Sequence, residues 1–197
     1  MTLRGTSFAR RIAGCGSRAL LALAWVLMAT VTAQAQDLTG DKRIALIGVA
    51  GERVEIAHVR FEPVGPDRWR FKVSLLDGVF TERFLAMRPF RCIAGPGEQL
   101  CHFPHGTQDV VSRADLLPLE YALLFLHTRP GALHVDARNG LFYKLEFTER
   151  GLRGRLHDAD FDPLIAPRGD GNPRPLTYRQ LELADPGAHW LPGMLIE

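Results

Sequence analysis

The sequence predicts a mainly β (all-β) domain, an antiparallel meander forming a small barrel or sandwich with one or two short helices. Three observations carry this prediction. Residues 68–75 (RWRFKVSL) alternate apolar and polar positions without a break, the pattern of a strand with one face buried and one in water. Several other short apolar runs are separated by Gly, Asn, Asp and Pro turn signals, as in barrels and sandwiches. No strand–helix–strand alternation of the kind that builds a parallel sheet is visible.

Residues 43–49 (RIALIGV) read as a first strand, Gly51-Glu52 as a turn, and 54–62 (VEIAHVRFE) as a second strand. Pro63-Val64-Gly65-Pro66-Asp67 is expected to end it. In 68–75, Trp69, Phe71, Val73 and Leu75 share one face, and Arg68, Arg70, Lys72 and Ser74 share the other. Asp77-Gly78 matches a two-residue hairpin turn leading into a strand from Val79 to Leu85. The turn signal Gly95-Pro96-Gly97 separates Cys92 from Cys101 and folds the chain so that the two sulfurs can meet.

Ser112 and Asp115 have the spacing of a helix start with a capping box. Pro118 disfavours helix at Leu117, so one short helical turn and then a buried strand at 121–127 (YALLFLH) are expected. A longer helix is the alternative, because a continuous apolar run has no period to decide between them. A strand at 133–137, an Asn139-Gly140 hairpin turn and a strand at 141–147 (LFYKLEF) follow. Leu141, Tyr143, Leu145 and Phe147 fall on one face of the last. Arg150-Gly151 turns the chain into a strand at 152–158, and 164–175 reads as a Pro- and Gly-rich loop. Residues 177–184 fit a short helix or an edge strand, and 189–197 (HWLPGMLIE) should pack the chain end onto the body.

The first 35 residues have a separate logic. Arg4, Arg10, Arg11 and Arg18 precede an apolar run at 19–31, and Ala33-Gln34-Ala35 offers small residues to a signal peptidase. This is the layout of a secretory signal peptide cut after Ala35. The apolar run is shorter than the roughly 20 residues a spanning helix needs, so no stable membrane span is expected once the signal is removed. Cys15 precedes the apolar run, the wrong order for a lipid anchor, and Arg10-Arg11 lacks the flanking residues of a twin-arginine signal. Residues 36–197 are then a single β-rich domain, periplasmic or secreted.

The full chain carries 24 Lys and Arg against 22 Asp and Glu. Losing the four signal arginines turns the net charge of +2 into −2. The basicity of the precursor thus belongs to export, and no nucleic acid is expected as a partner. In an oxidising compartment, Cys92 and Cys101 should form a disulfide.

Standard catalytic signatures are missing. The mature chain has only Ser74 and Ser112, neither in a nucleophile elbow. No Cys-x-x-Cys, His-Glu-x-x-His or glycine-rich phosphate loop occurs, and no cofactor is expected. Two candidate metal sites stand out. His102 and His105, beside Cys101, are ligand types for zinc or copper. Asp158, Asp160 and Asp162, with Asp170-Gly171-Asn172 after them, could offer oxygens to calcium. Pro163 and Gly169 stand where an EF-hand loop needs glycine and glutamate. Trp69, Phe71, Tyr143 and Phe147 are candidate ligand-lining residues if the interior is hollow, and core residues if it is filled.

At 84–92 (FLAMRPFRC), 139–146 (NGLFYKLE) and 189–197 (HWLPGMLIE), the chain resembles a group of uncharacterised exported proteins of proteobacteria. The likeness extends over nearly the whole mature domain. It implies an envelope location and no activity or site residue. Exclusion of catalytic motifs favours a non-catalytic periplasmic binding module for a small or apolar ligand. A structural role, or binding to another envelope protein through a sheet edge, is the alternative. An enzyme built from scattered carboxylates and histidines is the third reading.

Overall fold

The computed structural model describes residues 37–85, 88–106, 108–166 and 171–197, all within one unit, Gln36–Glu197. The expected signal peptide at 1–35, with Cys15, and Gly169 and Asp170 lie outside the described residues. Runs of β-branched and aromatic residues between turn signals produce twelve strands among the described residues. They are β1 (Gly40–Ile47), β2 (Arg53–Gly65), β3 (Arg68–Leu75), β4 (Thr81–Leu85), β5 (Arg88–Ala94) and β6 (Gln99–His102), then β7 (Val110–Ser112), β8 (Phe125–Thr128), β9 (Gly140–Thr148), β10 (Gly151–Ala159), β11 (Glu182–Leu183) and β12 (Gly193–Ile196). Two short helices, α1 (Leu117–Ala122) and α2 (Asp162–Ile165), and a 3-10 turn at Tyr178–Gln180 complete the described regular structure.

The strands form one sheet in the order β4-β5-β6-β8-β9-β10-β12-β1-β2-β3-β7, with β11 also on β10. Each pairing is antiparallel. The mainly β, antiparallel prediction holds, but the sheet is not a closed barrel. β4 and β7 end the path without pairing each other. The sheet nevertheless curls. Trp69 and Phe71 of β3 share one buried cluster with Ile93 of β5, Leu100 of β6 and Tyr143 of β9. Strands far apart in the sheet therefore face each other across that core. The ring of Phe147 on β9 lies 6.4 Å from that of Trp69 on β3.

A second core lies on the other face of β5, β6, β8 and β9. Phe90, Cys92, Cys101, Leu126 and Phe142 point into it, and Leu164 of α2, Phe103 and Phe161 cover them. Helix α1 serves both interiors. Leu119 joins the larger cluster, and Leu117 and Tyr121 join the smaller. Cys92 and Cys101 face each other across the β5–β6 ladder and are joined by a disulfide. Closing so short a loop removes about 3 kcal/mol of chain entropy from the unfolded state in the loop-closure model.

Several elements differ from the sequence reading, each for a physical reason. β2 runs on through Pro63 to Gly65 instead of stopping at Pro63. The β1 ladder ends at Phe61, so the missing N–H of Pro63 deprives no strand on that side. Asp77-Gly78 does not make a hairpin of β3 and β4. The chain turns there, but β4 pairs with β5, and β3 pairs with β2 and β7. Residues 133–137 form no strand, and the turn falls at 136–139, where Asn139 N–H donates to the Asp136 carbonyl at 3.1 Å. Gly140 already belongs to β9. A Cβ there would come within 2.4 Å of the Ala159 carbonyl oxygen, so this glycine serves close packing. Pro118 does not prevent helix. It occupies the first turn of α1, where an N–H is not needed. The apolar run at 121–127 divides between α1 and β8. Residues 177–184 combine the 3-10 turn with the edge strand β11.

β3 follows its alternation closely. Trp69 and Phe71 are buried, while Arg68, Arg70 and Lys72 are exposed. The Trp69 indole N–H also donates to Asp37 Oδ1 at 2.9 Å. We expect Trp69→Ala to cost about 3–5 kcal/mol, read as a lower urea midpoint with an unchanged slope.

Candidate functional site

Four segments converge at one end of the sheet. The turn Gly95-Pro96-Gly97 closes the disulfide-bonded β5–β6 hairpin and presents Glu98 just before β6. β8 runs antiparallel to β6 and places His127 opposite Leu100. Asp158 lies near the end of β10. The fourth segment is an excursion of the chain. β11 and β12 both pair with β10, and the intervening loop, 184–192, leaves the sheet and returns. It carries His189 and Trp190 to Glu98. Two features hold this loop in place. The Tyr143 hydroxyl donates to the Leu191 carbonyl at 2.7 Å. Trp190 lies against Gly95, where a Cβ would come within 2.0 Å of its ring.

His189 is the centre of the cluster. Its Nδ1 lies 2.8 Å from Glu98 Oε1, and its Nε2 lies 3.0 Å from Asp158 Oδ1. His127 Nδ1 approaches the same Glu98 oxygen at 3.3 Å. The other Glu98 oxygen accepts the Trp190 backbone N–H at 2.8 Å. The His127 and His189 rings meet edge to face, with centroids 5.0 Å apart. Glu98 and His189 are each 8 % exposed.

Burial pulls the Glu98 carboxyl upward. The hydrogen bonds from His127, His189 and Trp190 outweigh it and hold the group down at about 2. The Glu98 hydrogen bond in turn raises His189, against the opposing effect of burial, and the charges of Glu98 and Asp158 reinforce it. With a carboxylate oxygen at each ring nitrogen, the imidazolium form satisfies both contacts. In front of this group lies an open cleft of about 480 Å³, lined by residues that include Glu98, His127, Arg129, His134 and Asn139. Among the described residues, Glu98, His127 and His189 bring one ligand atom each to within 4.8 Å of one another.

The residues singled out from the sequence lie elsewhere, with one exception. His102 packs between Phe80 and Phe125, and its Nε2 donates to the Ala122 carbonyl at 2.8 Å. Burial lowers its pKa, in keeping with a neutral ring. His105 stands edge-on to Tyr121, and burial lowers it as well. Both histidines border a separate cleft near Phe90 and Phe103. Asp160 Oδ1 accepts the Asp162 N–H at 2.8 Å, and Asp162 opens α2. Asp158 is the exception, facing His189. Trp69, Phe71 and Tyr143 are packed into the larger core, and Phe147 is half-buried against it under the Arg113 guanidinium.

Glu98, His127 and His189 carried no signal in the sequence. They come from distant segments with no shared motif. The one available hint was a histidine ending the apolar run at 121–127.

No known family model matches the chain, and no curated protein or solved structure shows detectable similarity to it.

A second buried carboxyl lies away from the cleft. β8 pairs with β9 only at Leu141 and Gly140, and Glu120 of α1 fills part of the place a longer strand would take. Its Oε1 accepts the Leu145 N–H at 2.7 Å, and its Oε2 accepts the Tyr178 hydroxyl at 2.8 Å. Burial raises Glu120 from an ordinary 4.5 to about 7, aided by Asp115, while Leu145, Tyr178 and Lys144 oppose the rise. A carboxyl raised on folding stabilises fully below its unfolded value, and the benefit is lost as pH rises through the folded value. Glu120 should therefore withdraw up to about 3 kcal/mol between pH 4.5 and pH 8. Glu120→Gln keeps an acceptor for Leu145 and should flatten this decline, measured by urea unfolding across that range.

Proposed function

We propose that the mature protein is a periplasmic, non-catalytic binding module that takes a small polar ligand in the cleft lined by Glu98 and His127. One observation carries the reading. Glu98, in the wall of the cleft, is pre-organised by His189 at one carboxylate oxygen and by the Trp190 N–H at the other, so little ordering remains to be done on binding. Arg129, His134 and Asn139 line the same cleft and can donate to acceptor groups of a ligand. Trp69, Phe71 and Tyr143 fill a packed core, which argues against an apolar ligand in the interior. The disulfide and the Arg-rich, apolar start of the chain support export.

A second reading, an envelope protein that pairs through its sheet edge, is favoured by β4. This strand ends the sheet, and Phe84 on it is 69 % exposed. On that reading Phe84→Asp, and not Arg129→Ala, changes how the protein sediments in a periplasmic extract.

The binding reading is tested by amide and side-chain NMR in metal-free buffer, with a panel of small carboxylic acids and sugars at millimolar concentration. At least one class should shift the resonances of Arg129, His134 and Asn139, with affinity falling about tenfold in Arg129→Ala, the loss of one charge-assisted contact. Cleft resonances that stay fixed with every compound would reject it.

A further inference from the structure

We infer that Glu98 Oε1, His127 Nδ1 and His189 Nδ1 form a binding site for a divalent transition ion of the zinc and copper class. The inference rests on the reading of this cleft as a ligand site and deepens it.

The donor set is one carboxylate and two imidazoles, which suits zinc, copper and nickel better than magnesium or calcium. The spacing is close to what such an ion requires. Two ligands about 2.1 Å from a tetrahedral ion lie about 3.4 Å apart. Glu98 Oε1 and His127 Nδ1 are already 3.3 Å apart. Glu98 Oε1 and His189 Nδ1, at 2.8 Å, are joined by a hydrogen bond and need to separate by only about half an ångström. An ion entering there takes the place of the proton between them.

The surroundings of the three ligands supply the independent observation. His189 uses its other nitrogen, Nε2, to donate to Asp158 Oδ1. A ligating histidine is characteristically held in this way, with a carboxylate fixing the tautomer that leaves the opposite nitrogen for the metal. Glu98 is oriented likewise, since the Trp190 N–H occupies Oε2 and leaves Oε1 directed at the histidines. Asp158 and the Trp190 amide are thus positioning groups. Glu98 and His127 line the cleft, so a fourth coordination position opens onto it and can accept water or a donor atom of a small ligand. Three protein ligands with one open position distinguish this arrangement from a closed structural site.

The test is calorimetric titration of the untagged secreted protein, stripped of metal, with zinc chloride alone. One zinc ion should bind per chain, and His127→Gln and Glu98→Gln should each weaken binding at least about tenfold. His127 is partly exposed, so its variant should fold even where the Glu98 variant does not, and it then decides the matter alone. Zinc affinity equal in parent and His127→Gln, or no binding up to about 1 mM, would overturn the site. No organic ligand is present, so a negative result leaves the metal-free NMR test of the cleft unaffected. A positive zinc result with a silent NMR panel keeps the metal site and rejects the polar-ligand reading.

Discussion

Leu141 and Tyr143 point into one core, and Phe142, between them, points into another. Burial on both faces is therefore a property of the middle of this sheet, and much of the molecule follows from it. A strand covered on both sides needs cover from two sources. The curled β1–β3 half of the sheet supplies it on one face, and α2 with Phe103 and Phe161 on the other. α1 is placed where the two interiors meet and contributes to each. The disulfide reinforces the same region, tying β5 to β6 where Cys92 and Cys101 enter the smaller core.

The polar cluster at the strand ends depends on that rigidity. Glu98 and His189 are charged groups with little contact with water. Desolvating them is costly unless each charge is paired and its hydrogen-bonding capacity is used. Here every contact has a fixed origin. Glu98 stands in a hairpin locked by a disulfide. His127 stands in a strand buried on both faces, and Asp158 in β10, which is paired with β9 and β11 on its two sides. His189 hangs from a loop tethered by Tyr143 and by the seat of Trp190 on Gly95. An arrangement held so firmly is stabilising only while complete, since removal of one partner leaves a buried charge without its counterion.

The sequence disclosed those parts of the fold in which one face meets water. β3 and the second half of β9 show period-two alternation because Arg70, Lys72 and Glu146 are solvated opposite buried partners. Residues 121–127 show no period because helix α1 and strand β8 are both enclosed, and hydrophobicity alone does not separate the two. Turn signals at Asp77-Gly78 and Asn139-Gly140 marked reversals of the chain but not the strand met afterwards. That choice is made by packing between distant segments. The disulfide was legible because two cysteines flank one turn. The cluster of Glu98, His127, Asp158 and His189 was not. Its members are brought together by the register of β6, β8 and β10 and by the 184–192 excursion, none of which is encoded locally.

The position of β12 has a consequence for how the chain is made. It lies between β10 and β1, with Ile196 opposite Ile44, a pairing that joins residues about 150 positions apart. A strand near the centre of the sheet is thus made after every other described strand. A chain emerging N-terminus first from a ribosome cannot complete this ladder until residues 193–196 arrive. Until then β1 and β10 each present an unpaired edge, open to mispairing. The topology itself delays closure of the sheet until residues 193–196 are available. The same delay makes early release the moment of greatest risk of aggregation.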